Sequence, residues 1–224
     1  MLGDGFLHRY FLNNGGKRLH KWFHYFDIYE RHSNASETER QRFLEIGVSG
    51  GGSLQMWKAY FGHGARVIGI DIDPICTAHD EVGIEIFTAS QDDPALINQI
   101  IDRYDAFYII IDDGSHIMRH VMKSFELLYD KVDPHGVYLV EDLHTAYWDE
   151  YEGGLKRAGT FMEFVKDKLD EINAAHARGA IPVSTFTRST ACIAVYDSVV
   201  VFEKRPQGTR QTSITTGMGY AEQE

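Results

Sequence analysis

Apolar and polar positions along the chain alternate with two different periods, which predicts strands and helices in turn. Short apolar runs rich in β-branched residues predict strands at residues 42–48, 65–72, 83–89, 106–112 and 136–142. Helical spacing predicts helices at residues 53–61, about 93–103 and 116–129. In the last of these helices one stripe carries Ile117, Val121, Phe125 and Leu128. Such an alternation favours a parallel α/β sheet with helices on both faces.

The C-terminal part of the pattern predicts a hairpin. An aromatic loop at 144–155 is followed by a helix at 159–176, on which Val165, Leu169 and Ile172 recur at helical spacing. Two β-branched runs within 191–204 then predict an antiparallel hairpin. The expected sheet therefore has seven strands and is mostly parallel.

The segments outside this sheet suggest a simple domain organisation. Residues 20–32 are aromatic-rich with helical spacing, and a polar linker follows, in which Ser36 and Glu39 allow at most a short helical turn. We therefore expect an N-terminal helical segment and linker at 1–41, a main domain at 42–204 and a polar, loosely structured tail at 205–224.

Composition narrows the classes of partner. The 224 residues suit one compact domain. A formal net charge of -11 disfavours nucleic acid, because phosphate binding needs a basic surface. Two cysteines are too few for a disulfide framework, so a reducing cytoplasm is expected. The sequence has no run of about 20 apolar residues, so no membrane span is expected. Its N-terminal residues lack the apolar stretch of a signal peptide, so no leader is expected either. A small molecule is the expected substrate.

Glycines cluster between the first strand and the first helix of the main domain, at positions 47, 50, 51 and 52. They permit close approach of a ligand to the backbone, although a tight turn alone would use glycine too. The dinucleotide pattern G-x-G-x-x-G is not met. Asp71 ends the second strand, where a carboxylate can accept both hydrogens of a ribose diol; Asp73 is the less favoured choice.

Polar residues also follow the third strand. Ser90, Gln91 and Asp92 lie where amide and carboxylate groups could contact an adenine. Serine and aspartate are equally typical of helix caps, so part of this set is explained by the next helix alone.

Carboxylates follow the fourth and fifth strands. Asp112 and Asp113 end the run IIIDD, and Glu141 and Asp142 end YLVED. Neighbouring parallel strands lie about 4.8 Å apart, so Asp113 and one or both acids of the next strand can reach a shared cation. An all-oxygen ligand set with open positions suits Mg²⁺.

His116 stands three residues after Asp113, over the same edge of the sheet. A histidine there is a candidate general base for a substrate hydroxyl. The alternatives are a residue that only begins the following helix and a metal ligand.

Together these features resemble the class I S-adenosylmethionine-dependent methyltransferases, over about residues 43–204. The E-x-G loop, the acid that closes strand two and the polar residues after strand three occur in that family's order. The resemblance implies a Rossmann-like sheet and S-adenosylmethionine as cofactor. The implied cofactor-binding residues are Glu45, Gly47, Ser53, Asp71, Ser90, Gln91, Asp92 and Asp112.

The segment DDGSH paired with VEDLHTAYW is more specific. It resembles the metal-dependent sugar O-methyltransferases of macrolide and related natural-product pathways. The resemblance implies Mg²⁺ held by Asp113, Glu141 and Asp142, His116 as base, and a hydroxylated small molecule bearing a sugar as acceptor. A homo-oligomer is expected as well. The candidate acceptor contacts are Tyr25, His144, Tyr147 and Trp148.

Three other functions remain open on the same fold. They are a catechol-type small-molecule O-methyltransferase, a cephalosporin-hydroxylase-like enzyme and a non-catalytic cofactor-binding protein. Methylation of nucleic-acid or protein amide nitrogen is disfavoured, because DDGSH stands where those enzymes often carry D/N-P-P-Y/F.

Overall fold

Strands and helices alternate along the chain as predicted. The structure, a computed structural model, describes residues 5–33, 42–216 and 219–223. Its helices are α1 (Phe6–Leu12), α2 (Tyr25–His32), α3 (Gly52–Phe61), α4 (Pro94–Tyr104), α5 (Met118–Leu128), α6 (Phe161–Ile172) and α7 (Thr185–Ser189). Its strands are β1 (Arg42–Ile46), β2 (Arg66–Asp71), β3 (Ile84–Thr88), β4 (Phe107–Asp112), β5 (Val132–Val140), β6 (Thr190–Tyr196), β7 (Val199–Lys204), β8 (Ser213–Thr216) and β9 (Gly219–Gln223).

Strands β1 to β7 form one sheet in the order β3-β2-β1-β4-β5-β7-β6. The first five are parallel, and β7 runs antiparallel to both β5 and β6. The predicted seven-stranded sheet with a C-terminal antiparallel hairpin is therefore confirmed. The register pairs Ile46 with Asp112 and Asp112 with Val140, so the carboxyl ends of β1, β4 and β5 lie side by side.

Both faces of the sheet are covered. On one face α5 buries Met118, Val121, Phe125 and Leu128, while Ile117 precedes the helix. Burial of a stripe at this spacing is the main source of stability for an amphipathic helix. The predicted stripe of α6 is only partly buried: Val165 is covered, whereas Leu169 is 40% exposed.

The N-terminal segment covers the other face. Leu7 of α1 and Phe26 and Tyr29 of α2 are buried in one cluster with Trp57 of α3. Helix α1 was not predicted, and α2 begins at Tyr25 rather than His20. Between these helices the chain runs irregularly across the glycine loop, where Arg18 O accepts a hydrogen bond from Gly52 N.

Two other boundaries differ from the expectation. Strand β5 ends at Val140, so Glu141 and Asp142 stand in the turn that follows it. The tail, expected to be loosely structured, contains the antiparallel ribbon β8–β9. The short turn predicted at Ser36 and Glu39 lies outside the described residues.

Candidate active site

The glycine loop closes against the end of β4. Gly47 has a φ of +93°, and a Cβ at this position would lie 2.0 Å from the Asp113 carbonyl oxygen. Glycine is required there for both reasons. The N-terminal segment lies over the other side of the loop, where Gly52 N donates a 3.1 Å hydrogen bond to Arg18 O.

Asp71 fastens this loop to the end of β2. One oxygen of its carboxylate accepts hydrogen bonds from Val48 N at 2.8 Å and Ser49 N at 3.0 Å, and the other accepts from Asp73 N at 2.9 Å. Burial alone would raise the pKa of Asp71, but these three backbone donors lower it below its ordinary value. The carboxylate is thus held ionised at the edge of a cavity.

That cavity measures about 280 Å³ and joins three parts of the chain. The irregular segment 18–21 forms one wall and the glycine loop at 47–50 another. Ser53 and Asp71 line it near the loop, and Asp113, His116 and Asp142 line its far end. Among the predicted cofactor-binding residues, Gly47, Ser53 and Asp71 therefore face one space.

Glu45 lies beneath the cavity, at the end of β1, and is fully buried. Its Oε1 is 3.2 Å from Lys21 Nζ, while no described residue donates a hydrogen bond to Oε2. A buried carboxylate oxygen without a donor is costly. Glu45 itself does not line the cavity, whereas Ser53, whose side chain lowers the pKa of Glu45 by hydrogen bonding, does.

Asp113, His116 and Asp142 form the far end of the cavity. One ligand atom from each lies within 4.8 Å of the others. His116 Nε2 is 3.8 Å from Asp113 Oδ1 and 3.9 Å from Asp142 Oδ2. His116 and Asp142 both adopt a left-handed backbone with φ of +57°, a conformation that costs energy outside glycine and often marks functional turns. The two strand ends converge as the sequence predicts.

Glu141, the third predicted metal ligand, does not join this group. Its side chain points beneath the cavity and is 2% exposed as a residue. Lys21 Nζ lies 2.5 Å from Glu141 Oε1, and the Tyr29 hydroxyl donates to Oε2. Burial, and then the negative charge of Asp113, raise the pKa of Glu141 to about 8 even though Lys21 opposes the shift.

Gln91 and Asp112 are buried beside the site rather than in the cavity. Gln91 Nε2 donates to both oxygens of Asp112, at 3.0 and 3.1 Å, and Ser124 Oγ donates to the same carboxylate. Gln91 Oε1 accepts a 2.7 Å hydrogen bond from Ser115 N. Burial raises the pKa of Asp112 to about 6. In this structure the pair holds the DDGSH turn in place.

Ser90 and Asp92 lie farther along the same edge. The Ser90 hydroxyl donates to Asp92, and this bond lowers the pKa of the carboxyl group. Asp92 also faces His120 Nε2 at 3.6 Å, and Ser115 Oγ lies 3.0 Å from His120 Nδ1. These side chains are partly exposed, and none of them lines the cavity that Asp71 borders.

The predicted acceptor contacts are divided between surface and interior. Tyr147 and Trp148 are 51% and 45% exposed, and His144 is held by Ser198 Oγ at 2.7 Å. Tyr25, in contrast, is 1% exposed, and its hydroxyl donates a 2.7 Å hydrogen bond to Asp142 Oδ1. Tyr25 therefore contacts a predicted metal ligand and has no surface to offer a substrate.

Aromatic rings connect the predicted base to the N-terminal segment. The ring of Tyr151 lies 6.2 Å from His116 and 6.0 Å from Trp148. His144 lies 4.9 Å from Trp148 and 6.2 Å from Trp22, which is 52% exposed. These ring contacts connect His116, through Tyr151, Trp148 and His144, to Trp22.

Sequence reasoning did not identify Lys21, Tyr29, Trp22 and Tyr151. Lys21 and Tyr29 precede the main domain, and nothing in their spacing indicates contact with a residue more than 90 positions away. The aromatic richness of residues 20–32 was a signal for Trp22, and that of loop 144–155 for Tyr151.

The fold, and the arrangement of residues at the carboxyl edge of the sheet, are those of the class I S-adenosylmethionine-dependent methyltransferases. No protein-family model matches the chain. Demethylmacrocin O-methyltransferase from Streptomyces fradiae is 42% identical over 165 residues, covering 68% of this chain and 41% of the relative. The 8-demethyl-8-alpha-L-rhamnosyl tetracenomycin-C 2'-O-methyltransferase from Streptomyces olivaceus is 34% identical over 191 residues, covering 81% of this chain and 50% of the relative.

Solved structures agree with these relatives. The mycinamycin-pathway methyltransferase MycE, solved in complex with Mg, SAH and mycinamycin VI, superposes with a TM-score of 0.75 at 35% identity. The match covers 90% of this chain and 53% of MycE. The chain belongs to the class I methyltransferases and is a homologue of the macrolide and tetracenomycin sugar O-methyltransferases. It spans about half the length of the relatives it matches.

Within the described ranges, no helix is both long enough and apolar enough to cross a membrane.

Proposed function

We propose that this protein is an S-adenosylmethionine-dependent O-methyltransferase that requires Mg²⁺ and methylates a sugar hydroxyl on a small molecule. The observation that carries the proposal is the convergence of Asp113, His116 and Asp142 at one end of the cavity that Gly47 and Asp71 line. The proposed cofactor-binding residues and the candidate acid-base residues therefore line the same cavity. The named activities of the relatives support the same acceptor class.

The residues at the cavity fit the cofactor. The loop at Gly47 leaves no room for a Cβ, and the buried Glu45 Oε2 lacks a donor among the described residues. Asp71, with its carboxylate ionised, is the proposed ribose ligand. Ser53 lines the same wall. Ser90, Gln91, Asp92 and Asp112 complete the proposed adenine side, with Gln91 and Asp112 acting through the turn that they hold.

The residues at the far end fit a hard divalent cation. Asp113 Oδ1 and Asp142 Oδ2 face the cavity and would hold it together with waters and an acceptor oxygen. When bound, Mg²⁺ lowers the pKa of an acceptor hydroxyl and orients its oxygen, and S-adenosylmethionine supplies the methyl group.

His116 is the proposed base. Its Nε2 lies at the rim of the carboxylate pair, where it can accept the proton of a hydroxyl placed between the pair and the glycine loop. The rings of Tyr151 and Trp148 back this position and reduce the access of water. His144, Tyr147 and Trp148 then offer faces to the acceptor sugar.

The first test is calorimetric titration of S-adenosylhomocysteine, with Mg²⁺ and then with EDTA. Binding in both, followed by transfer of a labelled methyl group to demethylmacrocin, mycinamicin VI or a rhamnosyl tetracenomycin, would support the proposal. A protein that binds no S-adenosylhomocysteine in either buffer is not a methyltransferase. Binding without any Mg²⁺-dependent transfer would favour the non-catalytic alternative.

We further propose a cytoplasmic homo-oligomer. Cys76 and Cys192 are both free thiols, as a reducing compartment would maintain them. Sedimentation of the purified protein measures its assembly state, and a monomer at all concentrations would contradict the oligomer.

A further inference from the structure

A groove lined by cationic side chains lies at the edge of the sheet opposite the candidate active site. Its volume is about 1000 Å³, and it is formed by the starts of β1 and β2, the loop before β3, and the ends of α3 and α4. The carboxyl ends of β1 and β2 lead to the active-site cavity at the other edge. The proposed function makes no use of this groove.

The charge of the groove contrasts with that of the whole chain. Of the described residues that line it, Arg42, Lys58, Arg66 and Arg103 are permanently cationic, and Glu85 supplies a carboxylate. The chain carries a formal net charge of -11. A concave surface lined by one sign of charge concentrates counter-ions, because its low-dielectric walls focus the field. The groove is therefore suited to an anion although the protein is acidic.

Two of these cations are already bound to the protein. Lys58 Nζ donates a 2.7 Å hydrogen bond to Ala65 O. Arg103 pairs with Glu85 at 2.5 Å, and the Tyr104 hydroxyl donates to the same carboxylate. The carboxylate that faces the groove is thus occupied.

Arg42 and Arg66 are the unbalanced part of the groove. They begin β1 and β2 and are direct partners in the parallel register, so their side chains leave the same face of the sheet. Within the described part of the chain, neither guanidinium takes part in an ion pair or a side-chain hydrogen bond. Like charges on directly opposed residues of neighbouring strands are destabilising. An anion held between the two guanidinium groups would remove this repulsion.

A neighbouring cavity supplies no carboxylate to the pair. It shares Arg66 with the groove and also contains Asp80 and Glu81. Asp80 Oδ1 accepts a 2.6 Å hydrogen bond from Ile86 N, and Glu81 Oε2 pairs with Lys17 Nζ at 3.0 Å. Both acids are therefore held by groups other than the two arginines.

We propose that the groove binds an anion that carries a diphosphate group, with Arg42 and Arg66 as its ligands. Each guanidinium presents a planar fork of N–H donors that matches two oxygens of a phosphate, so two adjacent arginines suit two linked phosphates. The volume also leaves room for a larger body attached to the group, such as a nucleoside. The inference does not depend on the proposed function, because this site and the active-site cavity lie at opposite edges of the sheet.

The test is calorimetric titration of the full chain with inorganic pyrophosphate and, separately, with uridine diphosphate. EDTA is present so that no metal ion bridges phosphate to a carboxylate, and uridine is used because an adenine would compete for the proposed cofactor site. Wild type should bind at least one of the two anions. Affinity that is no tighter for uridine diphosphate would assign the groove to the diphosphate group alone, and tighter binding of uridine diphosphate would assign it to a nucleotide.

Variants of the two arginines locate the binding. Arg66→Gln should weaken it by about tenfold, and the double variant with Arg42→Gln by on the order of a hundredfold, since each change removes one charged fork. Arg66→Lys keeps the charge without the fork, so its affinity should lie between those of wild type and Arg66→Gln. Arg178→Gln is the matched control, because it removes the same charge from an exposed position between α6 and α7.

The melting temperature in anion-free buffer separates binding from folding. Because Arg66 is exposed and is repelled by its neighbour, Arg66→Gln should melt no lower than wild type, and this variant alone decides the question if Arg42→Gln folds poorly. Failure of wild type to bind either anion would overturn the inference, as would equal losses in Arg66→Gln and Arg178→Gln. Binding that S-adenosylhomocysteine abolishes and Arg66→Gln leaves intact would place the anion in the active-site cavity instead.

Discussion

The Tyr25 hydroxyl and the Asp142 carboxylate form a reciprocal pair at the end of β5. The hydroxyl donates a 2.7 Å hydrogen bond to Oδ1 and accepts a 3.2 Å hydrogen bond from the Asp142 backbone N–H. Because Asp142 has a left-handed backbone with φ of +57°, this pair fixes a turn that is otherwise unfavourable. The orientation of the proposed metal ligand therefore depends on a residue that precedes the sheet.

Removing this hydroxyl should loosen the ligand. We expect Tyr25→Phe to weaken Mg²⁺ binding severalfold and to lower the free energy of unfolding by about 1.5–3 kcal/mol, the range for a hydrogen bond to a charged group. Calorimetry and urea unfolding measure the two effects. Tyr60→Phe is the matched control, since its hydroxyl bonds to Ser33 O, away from the site. Equal Mg²⁺ affinity in both variants would show that Tyr25 does not orient Asp142.

The sheet was predictable because its signals are local. The apolar run before Asp112 and the one before Glu141 each mark a strand, and parallel strands bring their carboxyl ends to one edge. That rule brings Asp113, His116 and Asp142 to one edge of the sheet without knowledge of any contact between distant segments. The orientation of their side chains does not follow from it.

The remainder of the site depends on tertiary packing. Glu141 and Asp142 stand in the turn after Val140, where Asp142 has a left-handed backbone, and strand alternation gives no information on such a turn. Lys21 reaches Asp113 from an irregular segment across a separation of 92 residues. Irregular backbone carries no hydrophobic period, so its course was not predictable.

The proposed base can be tested by a conservative substitution. His116→Gln should lower the turnover number by about 10²–10⁴-fold, the usual contribution of a general base, and leave S-adenosylhomocysteine affinity unchanged. His120→Gln is the control, because His120 lies in the same part of the chain but pairs with Asp92 and Ser115. Turnover within a factor of three of wild type in His116→Gln would exclude it as the base.

Cofactor affinity should depend on Asp71 and not on Asp73. We expect Asp71→Asn to weaken S-adenosylhomocysteine binding by about 10–100-fold, since the neutral amide both accepts ribose hydrogen bonds less well and orients the glycine loop less firmly. Asp73→Asn removes the same charge from a carboxyl group that caps Ile75 N at 3.0 Å. Similar affinities for the two variants in a calorimetric titration would place the ribose elsewhere.

Asp71 also predicts a pH dependence of folding. Its pKa in the folded protein is lowered, so the ionised carboxylate stabilises the fold above the unfolded pKa, about 4, and this stabilisation is lost as the pH falls through the folded value. The difference in unfolding free energy between wild type and Asp71→Asn should therefore be present at pH 7 and shrink on acidification. Urea unfolding in EDTA across this range measures it. A difference that stays constant down to about pH 2 would contradict the assigned ionisation.

The exposed rings beyond His116 separate acceptor binding from cofactor binding. Trp148 is 45% exposed and packs on His144 and Tyr151, so its indole face is free for the apolar C–H surface of a sugar. Trp148→Ala should raise KM for the acceptor by about tenfold, equivalent to roughly 1.4 kcal/mol, with little change in S-adenosylhomocysteine affinity. Leu155→Ala, at a side chain that is 78% exposed in the following loop, serves as the control for loss of surface area. The reverse pattern in Trp148→Ala, with normal KM for the acceptor and weak cofactor binding, would assign Trp148 to the cofactor site.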